Sequence, residues 1–116
     1  MTAKEEDNSR LAACLGKSRN LAELIDYAAD AIVSKTVLDK PAGTITLFAF
    51  DAGQKLSEHT APYDAVVEVV QGDVCLTIAG RDMDVSAGQI VIMPADIPHS
   101  VSASARCKLL LTMIRG

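Results

Sequence analysis

From Ala31 onward, apolar and polar positions fall into short β-prone runs broken by glycine and proline turns. The runs are AIVSKTVL before Pro41 and Gly43, TITLFAF before Asp51 and Gly53, AVVEVV before Gln71, Gly72 and Asp73, and VCLTIA before Gly80 and Arg81. MDVS before Ala87 and Gly88, QIVIM before Pro94, HSVSA, and the closing CKLLLTMI complete the series. About eight strands with tight turns and no helical stretch between them predict an all-β domain of antiparallel sheets, packed as a sandwich, a jelly roll or a barrel.

Ahead of the strands the apolar period lengthens. In NLAELIDYAA, Asn20 stands where a cap would sit and Glu23 where a capping-box partner reaches back, while Leu21, Leu24, Ile25 and Ala28 share one helical face. This predicts a helix over 20–29. A weaker helical stretch runs from Ser9 to Leu15 and stops at Gly16. The chain therefore divides into a helical N-terminal extension, 1–30, peripheral to the main body, and a β-domain, 31–116, with no internal repeat.

Alternation within the strands assigns faces. After His59, the odd positions Ala61, Ala65, Val67 and Val69 share its side, and Thr60, Val66, Glu68 and Val70 lie opposite. In the other histidine-bearing run, Ile97, His99, Val101 and Ala103 share a face. Both histidines thus fall on apolar faces directed at the interior.

Composition narrows the function classes. With two Tyr, two Phe and no Trp, the core is aliphatic and base-stacking platforms are not expected. A net charge of −4 without a Lys/Arg cluster argues against a nucleic-acid partner, whose binding is dominated by phosphate-neutralising cations. No apolar run approaches the roughly 18–20 residues that span a bilayer. The first ten residues, MTAKEEDNSR, carry acids where a secretory signal needs a basic start, so the expectation is a cytoplasmic protein that does not enter membranes. Cys14, Cys75 and Cys107 are odd in number and lack a CxxC pair, which predicts reduced, mostly buried thiols. Met83, Met93 and Met113 read as core fill. GxSxG and phosphate-cradling glycine loops are absent, which removes hydrolase and nucleotide-dependent readings.

The spacing of glycines, histidines and proline resembles the small single-domain cupins, over roughly residues 31–114. Gly53 leads through QKLSE to His59, Thr60 and Ala61, and Gly72 follows seven residues after Ala65; Gly88 leads through QIVIM to Pro94 and then His99. The resemblance implies a jelly-roll barrel, commonly a homodimer, with a pocket between its sheets that often holds Fe, Mn, Zn, Ni or Cu. A complete cupin site has two histidines and a glutamate from the first motif and a histidine from the second. At those positions this chain has His59, Ala61, Ala65 and His99. These four are the expected pocket residues, with His59 and His99 the metal ligands that remain.

Two neutral imidazoles leave a divalent ion uncompensated, because strong sites use three or four side-chain ligands, often including a carboxylate. Any divalent ion is therefore expected to be weakly held or absent unless another residue substitutes. Glu58, Asp64 and Glu68 have the wrong parity, although a bulge at Pro62 would turn Asp64 inward; Cys75, Cys107 and Asp96 are further candidates. Three roles stay open for the histidines: structural hydrogen bonding, a weak or substrate-completed metal site, and a metal-free donor or acid–base pair. Two functions follow. One is a cupin that binds a small molecule in a pocket containing His59 and His99; the other is a metal-dependent enzyme of the dioxygenase or isomerase type. A homodimer formed through the edge of AIVSKTVL is expected in either case.

Overall fold

The computed structural model describes residues 8–116, so the first seven residues of the extension and its acidic start lie outside the described part. Among the described residues, nine strands form two antiparallel sheets: β1 (Ile32–Lys40), β2 (Gly43–Phe50), β3 (Lys55–His59), β4 (Asp64–Gln71), β5 (Asp73–Ile78), β6 (Arg81–Ser86), β7 (Ile90–Met93), β8 (His99–Ser102) and β9 (Cys107–Ile114). The five-stranded sheet has the order β1-β2-β9-β4-β7 and the four-stranded sheet β3-β8-β5-β6. Their inner faces meet in a core of Phe50, Val67 and Leu109 from one sheet against Leu76, Val85 and Val101 from the other. This is the all-β jelly-roll barrel expected. Among the described residues, no helix is long and apolar enough to cross a membrane.

The strand that the hydrophobic pattern did not reveal is β3. Its sequence, KLSEH, is polar, and only Leu56 among its residues is even partly shielded. It lies at the edge of the smaller sheet, where one side needs no apolar residues.

The larger sheet is buried on both faces along β2. Phe48 and Phe50 face the barrel, while Leu47 and Ala49 on the reverse side are fully buried beneath the N-terminal extension. That explains why TITLFAF reads as a continuous apolar run instead of an alternating one. The covering residues are Leu21, Leu24, Ile25 and Tyr27, of which Ile25 is 2% exposed. Burying a side chain of this size stabilises by about 1.5–3 kcal/mol. The extension is thus the second layer of the sheet, not a peripheral addition.

The expected helix over 20–29 does not form; the segment has a single 3-10 turn at Leu21–Glu23. Asn20 makes no side-chain cap to the backbone and instead donates from Nδ2 to Glu23 Oε2 at 3.2 Å. The reason lies in the sheet beneath. Lys108 Nζ donates to the Ala22 carbonyl and Lys35 Nζ to the Leu24 carbonyl. Those acceptors would be needed for i→i+4 bonds in a helix, and ten residues alone form a helix only marginally in water. The weaker stretch, Ser9 to Leu15, is likewise reduced to a 3-10 turn at Ala12–Cys14.

Just before that turn, residues 9–11 lie along the outer edge of β1. Leu11 N donates to Val37 O at 2.8 Å, and Asp39 N to Ser9 O at 2.7 Å. The chain thereby covers part of its own sheet edge.

Tyr27 closes the extension onto the barrel. Its ring lies beneath both the Lys108 ammonium, 4.8 Å away, and the Arg106 guanidinium, 5.1 Å away, and its hydroxyl donates to Gln71 Oε1 at 3.1 Å. Arg106 also donates to Asp51 Oδ1 at 2.8 Å, and the backbone N–H of Asp30 donates to Asp51 Oδ2 at 2.7 Å. These bonds hold the Asp51 carboxyl below its ordinary pKa, the Arg106 hydrogen bond most strongly.

Candidate functional site

The site is a cross-strand pair. β3 and β8 run antiparallel, with Lys55 opposite Ser102, Leu56 opposite Val101, and His59 opposite His99. The register shifts between Leu56 and His59, so Ser57 and Glu58 together face the single residue Ser100. This is a β-bulge. In a regular strand Leu56 and His59, three residues apart, point to opposite faces. With the extra residue, both line the same cavity. Alternation along β4 does not extend back to His59, because the loop at 60–63 between the strands does not preserve it. The bulge is the physical reason that His59 reaches the cavity mouth from the exposed rim.

Each histidine uses the carbonyl two residues before it. His59 Nδ1 lies 2.8 Å from Ser57 O, and His99 Nδ1 lies 3.2 Å from Ile97 O. A carbonyl oxygen only accepts, so each Nδ1 carries the hydrogen and donates it. With both Nδ1 atoms donating, the two Nε2 atoms face each other 3.1 Å apart, within hydrogen-bond distance. The rings meet edge to face at 68°, with centroids 4.3 Å apart. A bond between them needs a proton on one Nε2, and the space suits a proton or the donor of a bound molecule. His99 is 6% exposed, while His59 lies open at the rim. The expectation that both would be interior therefore holds for His99 only.

Below the pair lies a cavity of about 40 Å³ lined by Phe48, Phe50, Leu56, Val67, Met93, Val101, Leu109 and Leu111 together with the two histidines. The imidazoles supply its polar lining. The volume is roughly three times the minimum that admits one water, so the enclosed part suits a ligand portion of only a few heavy atoms. Ala65 lies beside the cavity on β4, 2% exposed and directly opposite Met93 on β7. Ala61 is half-buried in the loop after β3, where its carbonyl accepts the Asp96 N–H at 2.8 Å. Neither alanine side chain lines the cavity.

The candidate replacement ligands lie elsewhere. Asp64 is exposed, and its Oδ1 accepts the Ala95 N–H at 2.8 Å. Glu58 is exposed within the bulge, Glu68 is exposed on the outer face of β4, and Asp96 is exposed in a loop with φ of 65°. Cys75 is half-buried and alternates with the inward-facing Val74 and Leu76. Cys107 is fully buried in the core beside Gly72, at the opposite end of β5 from Ile78, the residue paired with His99. Burial pushes its thiol up to about 11, with the nearby Asp73 carboxylate adding to the effect.

All three cysteines are free, although only Cys107 is fully buried. Of the methionines expected in the core, Met93 is buried and Met113 half-buried, but Met83 is 37% exposed on the outward side of β6.

Among the described residues, no group of three or more His, Cys, Asp or Glu converges in a way that could hold a metal ion. The donor set therefore does not fit a resident divalent ion of the kind the cupin resemblance implied. Its imidazoles are placed for one, but no carboxylate accompanies them.

A family model described as "Cupin domain" matches residues 46–113. A comparison with curated proteins finds no match. Among solved structures, a conserved protein of unknown function from Streptococcus pyogenes is similar over 100% of this chain and 98% of its own, with 28% identity and a TM-score of 0.84. A cupin 2 conserved barrel domain protein from Leptotrichia buccalis is 36% identical over 84% of this chain, with a TM-score of 0.81. This chain spans 47% of that protein, about half its length. A cupin superfamily protein from Desulfitobacterium hafniense, 21% identical with a TM-score of 0.83 over 97% of this chain and 100% of its own, shares the fold.

Proposed function

The chain belongs to the cupin family, and from that premise we propose that it binds a small molecule at the His59–His99 pair without depending on a divalent metal. One observation carries this reading: two Nε2 atoms, 3.1 Å apart, converge at the mouth of an otherwise apolar cavity. The preferred ligand places a hydroxyl or a protonated amine between the imidazoles and a short apolar portion against Phe48, Leu56 and Leu111. Its remainder extends past His59 into solvent, since the enclosed volume is small.

The test is a set of short-chain alcohols, amines and carboxylic acids, titrated while the histidine ring signals are followed by NMR. The reading predicts saturable shifts of both rings for donors with a short apolar tail and loss of binding in His99→Ala. Equal responses from the wild type and the variant would refute it.

The competing reading is a metal-dependent enzyme of the dioxygenase or isomerase type. It has the placement of His59 and His99 in its favour and the positions of Ala61 and Ala65 against it. It requires a stoichiometric divalent ion after chelator-free purification that disappears from the double His→Ala form.

A homodimer is part of the proposed reading. Among the described residues, no strand pairs with the outer side of Ile32–Thr36, and at the opposite edge Ile90 and Ile92 on β7 are 62% and 63% exposed. A chain that sediments as a monomer at micromolar concentration argues against the dimer. We place the protein in the cytoplasm, where three unpaired thiols remain reduced.

A further inference from the structure

The cavity beneath the imidazoles and the face under the N-terminal extension are two sides of the same strands. On β2, Phe48 and Phe50 line the cavity, while the alternating residues Leu47 and Ala49 are fully buried beneath the extension. β9 repeats the arrangement, with Leu109 and Leu111 in the cavity and Leu110 packed under the extension. Four of the eight apolar residues that line the cavity thus stand on two strands whose reverse face rests on the extension. β2 and β9 pair directly, Leu47 opposite Leu110 and Phe48 opposite Leu109, so this half of the lining is one continuous floor.

The ends of this floor are tied to the extension. Lys108, next to Leu109, donates to the Ala22 carbonyl. Asp51, next to Phe50, accepts the Asp30 N–H and the guanidinium of Arg106, which lies over the Tyr27 ring. The extension itself is lightly built: residues 20–27 have one 3-10 turn and one buried residue, Ile25. Segments with so few buried contacts open at lower free energy than the core they cover. We infer that residues 20–27 are a strap that fixes the floor of the His59–His99 cavity from behind, so that docking of the strap and packing of the floor are coupled. An occupant of the cavity then meets a floor already ordered while the strap is docked, and one it must order itself when the strap is released. By linkage the coupling runs both ways. This inference does not rest on the small-molecule reading and is measured without a ligand, so either can fail alone.

The experiment is NMR on the purified full chain in three variants. Ile25→Ala loosens the strap, Leu111→Ala shortens a floor residue on β9, and Leu56→Ala removes the same atoms from the cavity wall on β3. Leu111 and Leu56 are both half-buried, which makes them a matched pair. Thermal melts confirm folding, and a form that fails is replaced by valine at the same position, which removes less. Ile25→Ala is expected to shift the side-chain signals of Phe48, Phe50, Leu109 and Leu111 and to leave those of Leu56 and Val101 in place. Leu111→Ala is expected to speed amide exchange of residues 21–27, measured against β4, by about fivefold or more over Leu56→Ala. Equal exchange in the two leucine variants, or floor signals unmoved when the strap is loosened, would each overturn the inference.

Discussion

Replacing Ile25 with alanine tests whether the N-terminal extension belongs to the cooperative fold. Ile25 is 2% exposed and packs against Leu47 and Ala49, which are fully buried. Truncating a buried isoleucine to alanine costs about 2–5 kcal/mol, from lost transfer energy and from the space left behind. The lower half of that range applies here, because the segment has only one 3-10 turn and can settle toward the sheet. The loss is also capped by the free energy of docking the extension, since a detached segment has nothing more to lose.

An effect of about 2–3 kcal/mol, with a urea dependence of about 1–3 kcal/mol per molar, lowers the unfolding midpoint by about 0.7–3 M. Circular dichroism follows the transition, and amide exchange of residues 21–27 reports the segment itself. Asp26→Ala, one residue away and exposed, serves as the control and shifts stability by less than about 0.5 kcal/mol. An unchanged midpoint in Ile25→Ala, with residues 21–27 exchanging freely, would show that the barrel stands without its cover and that the two-layer account is wrong.

Other consequences are equally direct. The β5–β6 hairpin turns through Ala79 and Gly80, with φ of 52° and 77°; alanine is disfavoured there and asparagine is preferred, so Ala79→Asn raises stability by about 0.5–1 kcal/mol in a denaturant titration. Cys107, with its thiol pushed up to about 11, stays protonated at neutral pH and is alkylated by iodoacetamide only as the chain unfolds. Because that folded value lies above the ordinary 9.0, its contribution is complete below pH 9 and is lost as pH rises toward 11, which an alkaline stability series detects. Asp51 behaves oppositely. Its folded value is depressed below 3.8, so its contribution is present above that pH and is lost as pH falls through the folded value. Asp51→Asn therefore flattens the acid limb of the stability profile between pH 5 and pH 2.

Much of the barrel was legible because apolar alternation and glycine turns mark strands that have one face in a core. The runs at β4, β8 and β9 lie where the pattern put them, and Val67, Val69, Val101 and Ala103 face inward as expected. What escaped was set by long-range contacts. The helical period of residues 20–29 is real, but it serves a single docking face, and Lys35 and Lys108 take the carbonyls a helix would use. β3 escaped because an edge strand can be polar. Met83 was placed in the core by residue type alone, yet the outward face of β6 leaves it exposed. Met93 is buried as its residue type suggests, but its place in the cavity lining follows from the β4–β7 register, which no local pattern encodes. The candidate site was visible as two histidines at meaningful spacing. The direction of their ring nitrogens was not, because it depends on the Ser57 and Ile97 carbonyls.

The bulge at Ser57 and Glu58 absorbs one residue, so the site tolerates a loss of chain length there better than a change of pairing. Deleting either residue leaves Leu56 and His59 two apart on a regular strand, on one face, with His59 still opposite His99. Keeping both residues but pairing them one to one instead turns His59 outward and leaves His99 alone at the cavity. Both histidines survive either change, and a comparison that tracks only ligand residues would not tell the two apart. In related chains, a single residue between the positions of Leu56 and His59 keeps the pair without a bulge, and two residues keep it only with one.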